Sequence, residues 1–173
     1  MNKRQKKKLI KKQNKQLIET YPFLRPRNVW SGRILNNYDY TYTELDAMPE
    51  GWRKSFGLKI CEELKEILLK NDSLKEYRII QIKEKFGTLR WYCNSSDKEI
   101  RKIIDKYEKI SEHTCIFCGK DNVDIFDDGW ISPYCDNCFI RKKERQRLRL
   151  QKITKREHPQ ISKEELLEKY KLK

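Results

Sequence analysis

Apolar residues follow three separate rhythms along the chain, and each predicts an element. In "EGWRKSFGLKICEELKEILLKN", Phe56, Ile60, Leu64, Ile67 and Leu68 stand at i, i+4, i+8, i+11 and i+12, one stripe of a helix. Pro49 suits the first turn of that helix and Asn71 its stop. "YRIIQIKEKFGTLRWYC" is instead dense in β-branched and aromatic residues around Phe86-Gly87-Thr88, the pattern of a β-hairpin bending there. Helical spacing returns with Ile100, Ile103, Ile104, Tyr107 and Ile110, opened by Ser96 and Glu99 in the order of a capping box. Helix, hairpin and helix predict a small α+β body, and 173 residues suit one such domain with extensions.

The stretch before the body has no sustained period. "YPFLRPRNVWSGRILNNYDYTYTELDAMPEGW" carries prolines at 22, 26 and 49 and many rings, so it predicts an extended wrap whose aromatics pack on the body. Tyr38, Tyr40 and Tyr42 are candidates for stacking nucleic-acid bases, but rings that alternate in an irregular segment more often anchor it. Ahead of the wrap, Lys3 to Glu19 predicts a basic helix. The expected organisation is a basic helix over 1–20, a body with its wrap over 21–112, a four-cysteine finger over 113–138, a basic helix over 139–158 and a short helix or tail over 159–173.

Cysteine spacing adds chemistry to this frame. Cys115 and Cys118 form one Cys-x-x-Cys pair and Cys135 and Cys138 another, sixteen residues apart, the spacing of a four-cysteine zinc site. Two intervening residues let both sulfurs of a pair turn onto one tetrahedral ion, and four thiolates complete the shell of a closed, structural Zn²⁺. Gly119 permits the left-handed turn of a knuckle, and "KDNVDIFDDGWIS" predicts a short hairpin turning at Asp127-Asp128-Gly129. A helix at the second pair would make this a treble-clef finger; a second knuckle would make it a zinc ribbon. Cys61 and Cys93 fall in a helix and a strand, where a buried thiol acts as a small hydrophobe.

Charge is localised. Met1 to Lys15 hold eight Lys or Arg and no acid, and Phe139 to His158 hold nine against Glu144 and Glu157, so the two arms carry +8 and +7 of a net +14. Residues 16–138, with nineteen basic and twenty-one acidic side chains, are close to neutral. Basic arms on a neutral body are an electrostatic footprint for a polyanion, nucleic acid before an acidic protein surface. In the second arm Arg141, Arg145, Arg149, Lys152 and Arg156 fall within roughly 80° of one another at about 100° per residue, a basic stripe. Phe139, Gln146, Leu150 and Ile153 collect on a neighbouring face suited to packing. No run reaches the eighteen or so apolar residues of a membrane helix, and the Lys-rich start lacks a secretory core. A cytoplasmic location is therefore expected, where thiols stay reduced and paired cysteines favour metal over disulfide.

Catalysis finds little support. A catalytic zinc keeps one position open, and four cysteines leave none. Nucleases of the His-Asn-His type use a similar finger with a catalytic histidine in its hairpin, but here the hairpin holds acids and no histidine. The only histidines, His113 and His158, lie outside it, and Asp127 and Asp128 in a Gly-containing bend are turn formers before they are Mg²⁺ ligands.

The stretches "YPFLRPRN", "TYTELDAMPEGW", "IKEKFGTLRWY" and "CIFCG…WISPYCDNC" resemble a group of small zinc-finger proteins of phages and prophages. The resemblance spans about Tyr21 to Cys138 and implies a phage-type protein, acting in the host cytoplasm, without implying a particular activity. The sequence thus predicts a non-enzymatic, zinc-stabilised protein that binds nucleic acid through its basic helices. The alternatives are a modulator of a host nuclease, polymerase or defence protein, and a degenerate nuclease.

Overall fold

The structure, a computed structural model, describes residues 1–28 and 31–157, the side chains of 154–157 excepted. It is α+β. Helix α1 (Lys3–Thr20) is followed by a 3₁₀ turn (Pro22–Leu24), an irregular stretch bridged at Arg27 and Ile34, and a second 3₁₀ turn (Glu44–Ala47). Next come the single turn α2 (Glu50–Trp52), a wide π turn (Arg53–Gly57) and α3 (Leu58–Lys70). Strands β1 (Ile79–Lys85) and β2 (Thr88–Cys93), helix α4 (Lys98–Glu112), strands β3 (Asp124–Asp127) and β4 (Ile131–Tyr134), and helix α5 (Asp136–Glu157) complete the order. Each hairpin is its own two-stranded antiparallel sheet. The chain divides into two compact units, the first Met1–Tyr134 and the second beginning at Cys135.

The predicted stripe of the first body helix builds the core: Phe56, Ile60, Leu64 and Leu68 are buried, with Cys61 beside them and Ile67 half-buried. Burial pushes the Cys61 thiol up to about 12, as a small hydrophobe's would be; Cys93 is only half-buried. The segment is not one regular helix, because the π turn widens it between Trp52 and Leu58. Pro49 precedes the first turn as its cap residue and keeps an extended ψ of 141°, since its ring fixes φ without demanding a helical ψ.

Strands β1 and β2 present Ile79, Ile82, Leu89 and Trp91 to the core. The bend is tighter than the sequence predicts. Lys85 pairs with Thr88, which leaves Phe86 and Gly87 as a two-residue turn with φ of 54° and 77°, both positive as such hairpins require.

Helix α4 lays Ile100, Ile104 and Tyr107 on the core. Ile110 is exposed; the buried place one residue on belongs to Ser111, whose Oγ accepts from the Leu89 N–H at 2.8 Å. That hydrogen bond satisfies a strand donor which an isoleucine could not. Three further side-chain donors in or beside the core find acceptors. Trp91 Nε1 donates to the Tyr77 hydroxyl at 3.0 Å, Tyr107 donates to Glu63 at 2.8 Å and Tyr21 donates to Glu62 at 2.5 Å. The last of these ties the wrap to α3, and with burial it raises the Tyr21 hydroxyl to about 12. Tyr38 and Tyr40 pack against the core and each other, their centroids 4.9 Å apart, as the wrap reading expects, whereas Tyr42 stays exposed.

The cap of α4 is Asp97, not Ser96. Asp97 Oδ1 accepts from the Glu99 and Ile100 N–H groups at 2.7 and 3.2 Å, and its Oδ2 accepts from Asn71 Nδ2 at 2.9 Å. A carboxylate at this position serves the helix start and ties it to Asn71, the cap residue just past α3, which a serine hydroxyl could not do at once. Asp97→Ala is expected to lower stability by about 1 kcal/mol, and Ser96→Ala to leave it within about 0.5 kcal/mol, both read by urea denaturation.

Candidate metal centre

The knuckle that carries the first cysteine pair is held by backbone groups before any metal enters. His113 ends α4, and Thr114, buried, donates through Oγ1 to the Ile110 carbonyl at 2.8 Å. The Thr114 carbonyl in turn accepts from Trp52 Nε1 at 2.7 Å inside the core. Cys115 N–H donates to Lys120 at 2.8 Å and Gly119 N–H to Cys115 at 2.9 Å, closing the knuckle. Ile116 N–H donates to Pro133 at 3.0 Å, and the Ile116 carbonyl accepts from Gly51 at 2.9 Å. The knuckle is therefore stitched to β4 on one side and to α2 on the other.

Two glycines make the second seam possible. A Cβ on Gly51 would stand 2.2 Å from the Cys115 carbonyl oxygen, and one on Gly119 would stand 2.6 Å from the Gly51 carbonyl oxygen. Gly119 also has φ of +82°, the left-handed conformation the knuckle needs. Ser55, in the π turn, lies against the same place, its Cβ 3.3 Å from that Gly119 position. The widened turn of helix sits beneath the knuckle.

Strands β3 and β4 pair from Asp124↔Tyr134 to Asp127↔Ile131. Asp127 Oδ1 accepts from Gly129 N–H at 3.1 Å, a turn-forming role, and Phe117 stacks on Tyr134 with centroids 5.7 Å apart. Cys135 then precedes α5 and Cys138 lies in its first turn, with Cys138 N–H donating to the Cys135 carbonyl at 2.9 Å. The order of elements is knuckle, hairpin and helix, that of a treble clef; a zinc ribbon would place a second knuckle where α5 begins.

The Sγ atoms of Cys115, Cys118, Cys135 and Cys138 all lie within 4.8 Å of one another. Four thiolates at about 2.3 Å from a tetrahedral ion stand about 3.8 Å apart, so these four can hold a metal ion. Such a shell has no vacant position for water. His113 is exposed at the end of α4, and His158 lies outside the described residues.

The basic stripe is on one continuous helix. Arg141, Arg145, Arg149 and Lys152 are all exposed, while the side chain of Arg156 and the whole of 159–173 lie outside the described residues. On the neighbouring face Gln146 and Ile153 are exposed and Phe139 and Leu150 half-buried. No described helix is long and apolar enough to cross a membrane.

Gly51, Trp52 and Thr114 support the site without announcing themselves in sequence. The ligands are legible from their spacing, but a glycine that must admit a distant carbonyl has no local signature. No protein-family model matches the chain, and neither curated proteins nor solved structures yield a match.

Metal analysis of the purified protein is expected to find one ion per chain, lost in Cys115→Ser or Cys138→Ser. Gly51→Ala, which adds no charge and removes no ligand, is expected to lower stability by about 1–3 kcal/mol through overpacking against the Cys115 carbonyl. Thermal denaturation of the metal-loaded protein measures it.

Proposed function

We propose that this is a non-enzymatic, phage-type nucleic-acid-binding protein whose paired cysteines hold a structural Zn²⁺ and whose basic helices grip phosphates. The observation that carries this is the stripe of Arg141, Arg145, Arg149 and Lys152, all exposed on α5, which starts at the second cysteine pair. Zinc suits four soft thiolates in a tetrahedral shell, a set that leaves no room for catalysis at the ion. Arginine suits phosphate because its planar guanidinium forms paired hydrogen bonds to two oxygens.

Through Arg156 the stripe extends about 22 Å at roughly 1.5 Å per residue. That exceeds the major-groove width of about 12 Å, so the helix lies along a groove or follows a backbone instead of crossing one. Helix α1 adds a second positive element, with eight Lys or Arg in residues 1–15. Contacts of this kind give affinity without sequence choice.

Salt dependence tests it. With five phosphate contacts, the logarithm of duplex affinity is expected to fall against the logarithm of salt with a slope of about −4 to −5. The double change Arg145→Ala and Arg149→Ala is expected to weaken all duplexes alike and flatten the slope by about 2. An unchanged slope in a variant that keeps its metal would make the stripe a solvated face and favour a protein partner. Zinc as the metal is checked by elemental analysis; iron, with visible absorbance, would overturn that part.

A further inference from the structure

We infer that the outer face of the β1–β2 hairpin, with the cleft beside it, is a second nucleic-acid surface that stacks the unpaired bases of a single strand. It rests on the nucleic-acid reading above but uses none of the α5 residues. The register separates the two faces of the hairpin. Ile82 with Trp91 and Glu84 with Leu89 point one way, toward the core, so Gln81 with Tyr92, Lys83 with Arg90 and Lys85 with Thr88 point the other.

Two rings are left to solvent, Tyr92 on that outer face at 43% exposure and Phe86 in the turn at its end at 67%. Phe86 is the more informative. It occupies a left-handed turn position, φ 54°, where Asn, Asp or Gly is the usual residue and a bulky side chain is strained. The fold gains no burial from the ring in return, so neither the turn nor the core accounts for a phenylalanine there.

Each ring carries a lysine. Lys83 Nζ lies 5.3 Å from the Tyr92 centroid and Lys85 Nζ 5.2 Å from that of Phe86. From Tyr92 the surface continues into a cleft between β2 and the start of α4, lined also by Ser95, Ser96, Lys98, Arg101 and Lys102. Most nearby acids are engaged elsewhere. Glu84 accepts from Gly87 and Trp130, Glu108 pairs with Arg90, Glu99 with Lys70, and Asp97 caps α4. Asp105, one helical turn past Arg101, is exposed and in no ion pair among the described residues, and it does not line the cleft.

Rings flanked by cations on an open face match the way single strands are held: bases stack on the aromatics and phosphates meet the charges. A duplex offers its base faces only after unstacking. The core of a protein interface is depleted in lysine, which argues against a protein as the occupant.

The test uses the metal-loaded full chain with oligo-dT of about 12 nucleotides, a duplex of equal length, and host lysate. Phe86→Ala and Tyr92→Ala are each expected to weaken oligo-dT binding about tenfold or more, while Tyr92→Phe, which keeps the ring, retains it. Lys83→Ala with Lys85→Ala is expected to flatten the single-strand salt slope by about 1.4. None of these should alter the duplex slope set by α5. Oligo-dT affinity unchanged in Phe86→Ala, Tyr92→Ala and their combination would overturn the assignment, even where the Arg145 and Arg149 changes abolish duplex binding. Wild-type binding of oligo-dT but not duplex, lost with the rings, would support this surface and remove the role given to α5. Loss of a specific host protein, with oligo-dT affinity intact, would overturn it in favour of a protein partner.

Discussion

The close approach of two backbones, Gly51 of α2 and the Cys115 knuckle, is the constraint on which the first unit depends. Their peptide groups are so near that no side chain fits at Gly51 or at Gly119. The contact is polar as well as tight. Gly51 N–H donates to Ile116, and one residue on, Trp52 inserts its whole ring into the core while its Nε1 donates to Thr114. A single turn of helix thus satisfies buried carbonyls of the knuckle and anchors it with a fully buried tryptophan. An orphaned carbonyl there would cost about 1–3 kcal/mol.

This arrangement bears on what a metal ion at the four cysteines would have to do. In an isolated finger the metal supplies nearly all of the folding free energy. Here the first knuckle and the β3–β4 hairpin belong with the body in Met1–Tyr134, and hydrogen bonds to α2 and β4 already define the knuckle's shape. Cys135 and Cys138, at the start of α5, complete the set of four thiols that could hold a metal ion.

Charge is arranged on the same plan. Within the body, carboxylates accept from tyrosines or pair with lysines across elements, as Glu62 does from Tyr21 and Glu63 from Tyr107 and Lys106. Such pairs consume cations and acids alike, so residues 16–138, with nineteen basic and twenty-one acidic side chains, stay close to neutral. The excess positive charge lies in the two arms, on α1 and along α5.

By itself the sequence determined the elements and the ligands. The stripe from Phe56 to Leu68, the hairpin around Gly87, the helix through Ile100 and Ile104, and the two Cys-x-x-Cys pairs are all local patterns, set by side-chain period or by the reach of neighbouring residues. Where several residues competed for one local role, tertiary contacts decided. Asp97 displaced Ser96 as the cap because its second oxygen meets Asn71, and Ser111 replaced Ile110 in the core because Leu89 needs an acceptor. The π turn, the exclusion of any side chain at Gly51 and the seat of Trp52 under Thr114 were likewise decided only by tertiary structure. Each depends on the distance to a group dozens of residues away, and no periodicity in the chain encodes that distance.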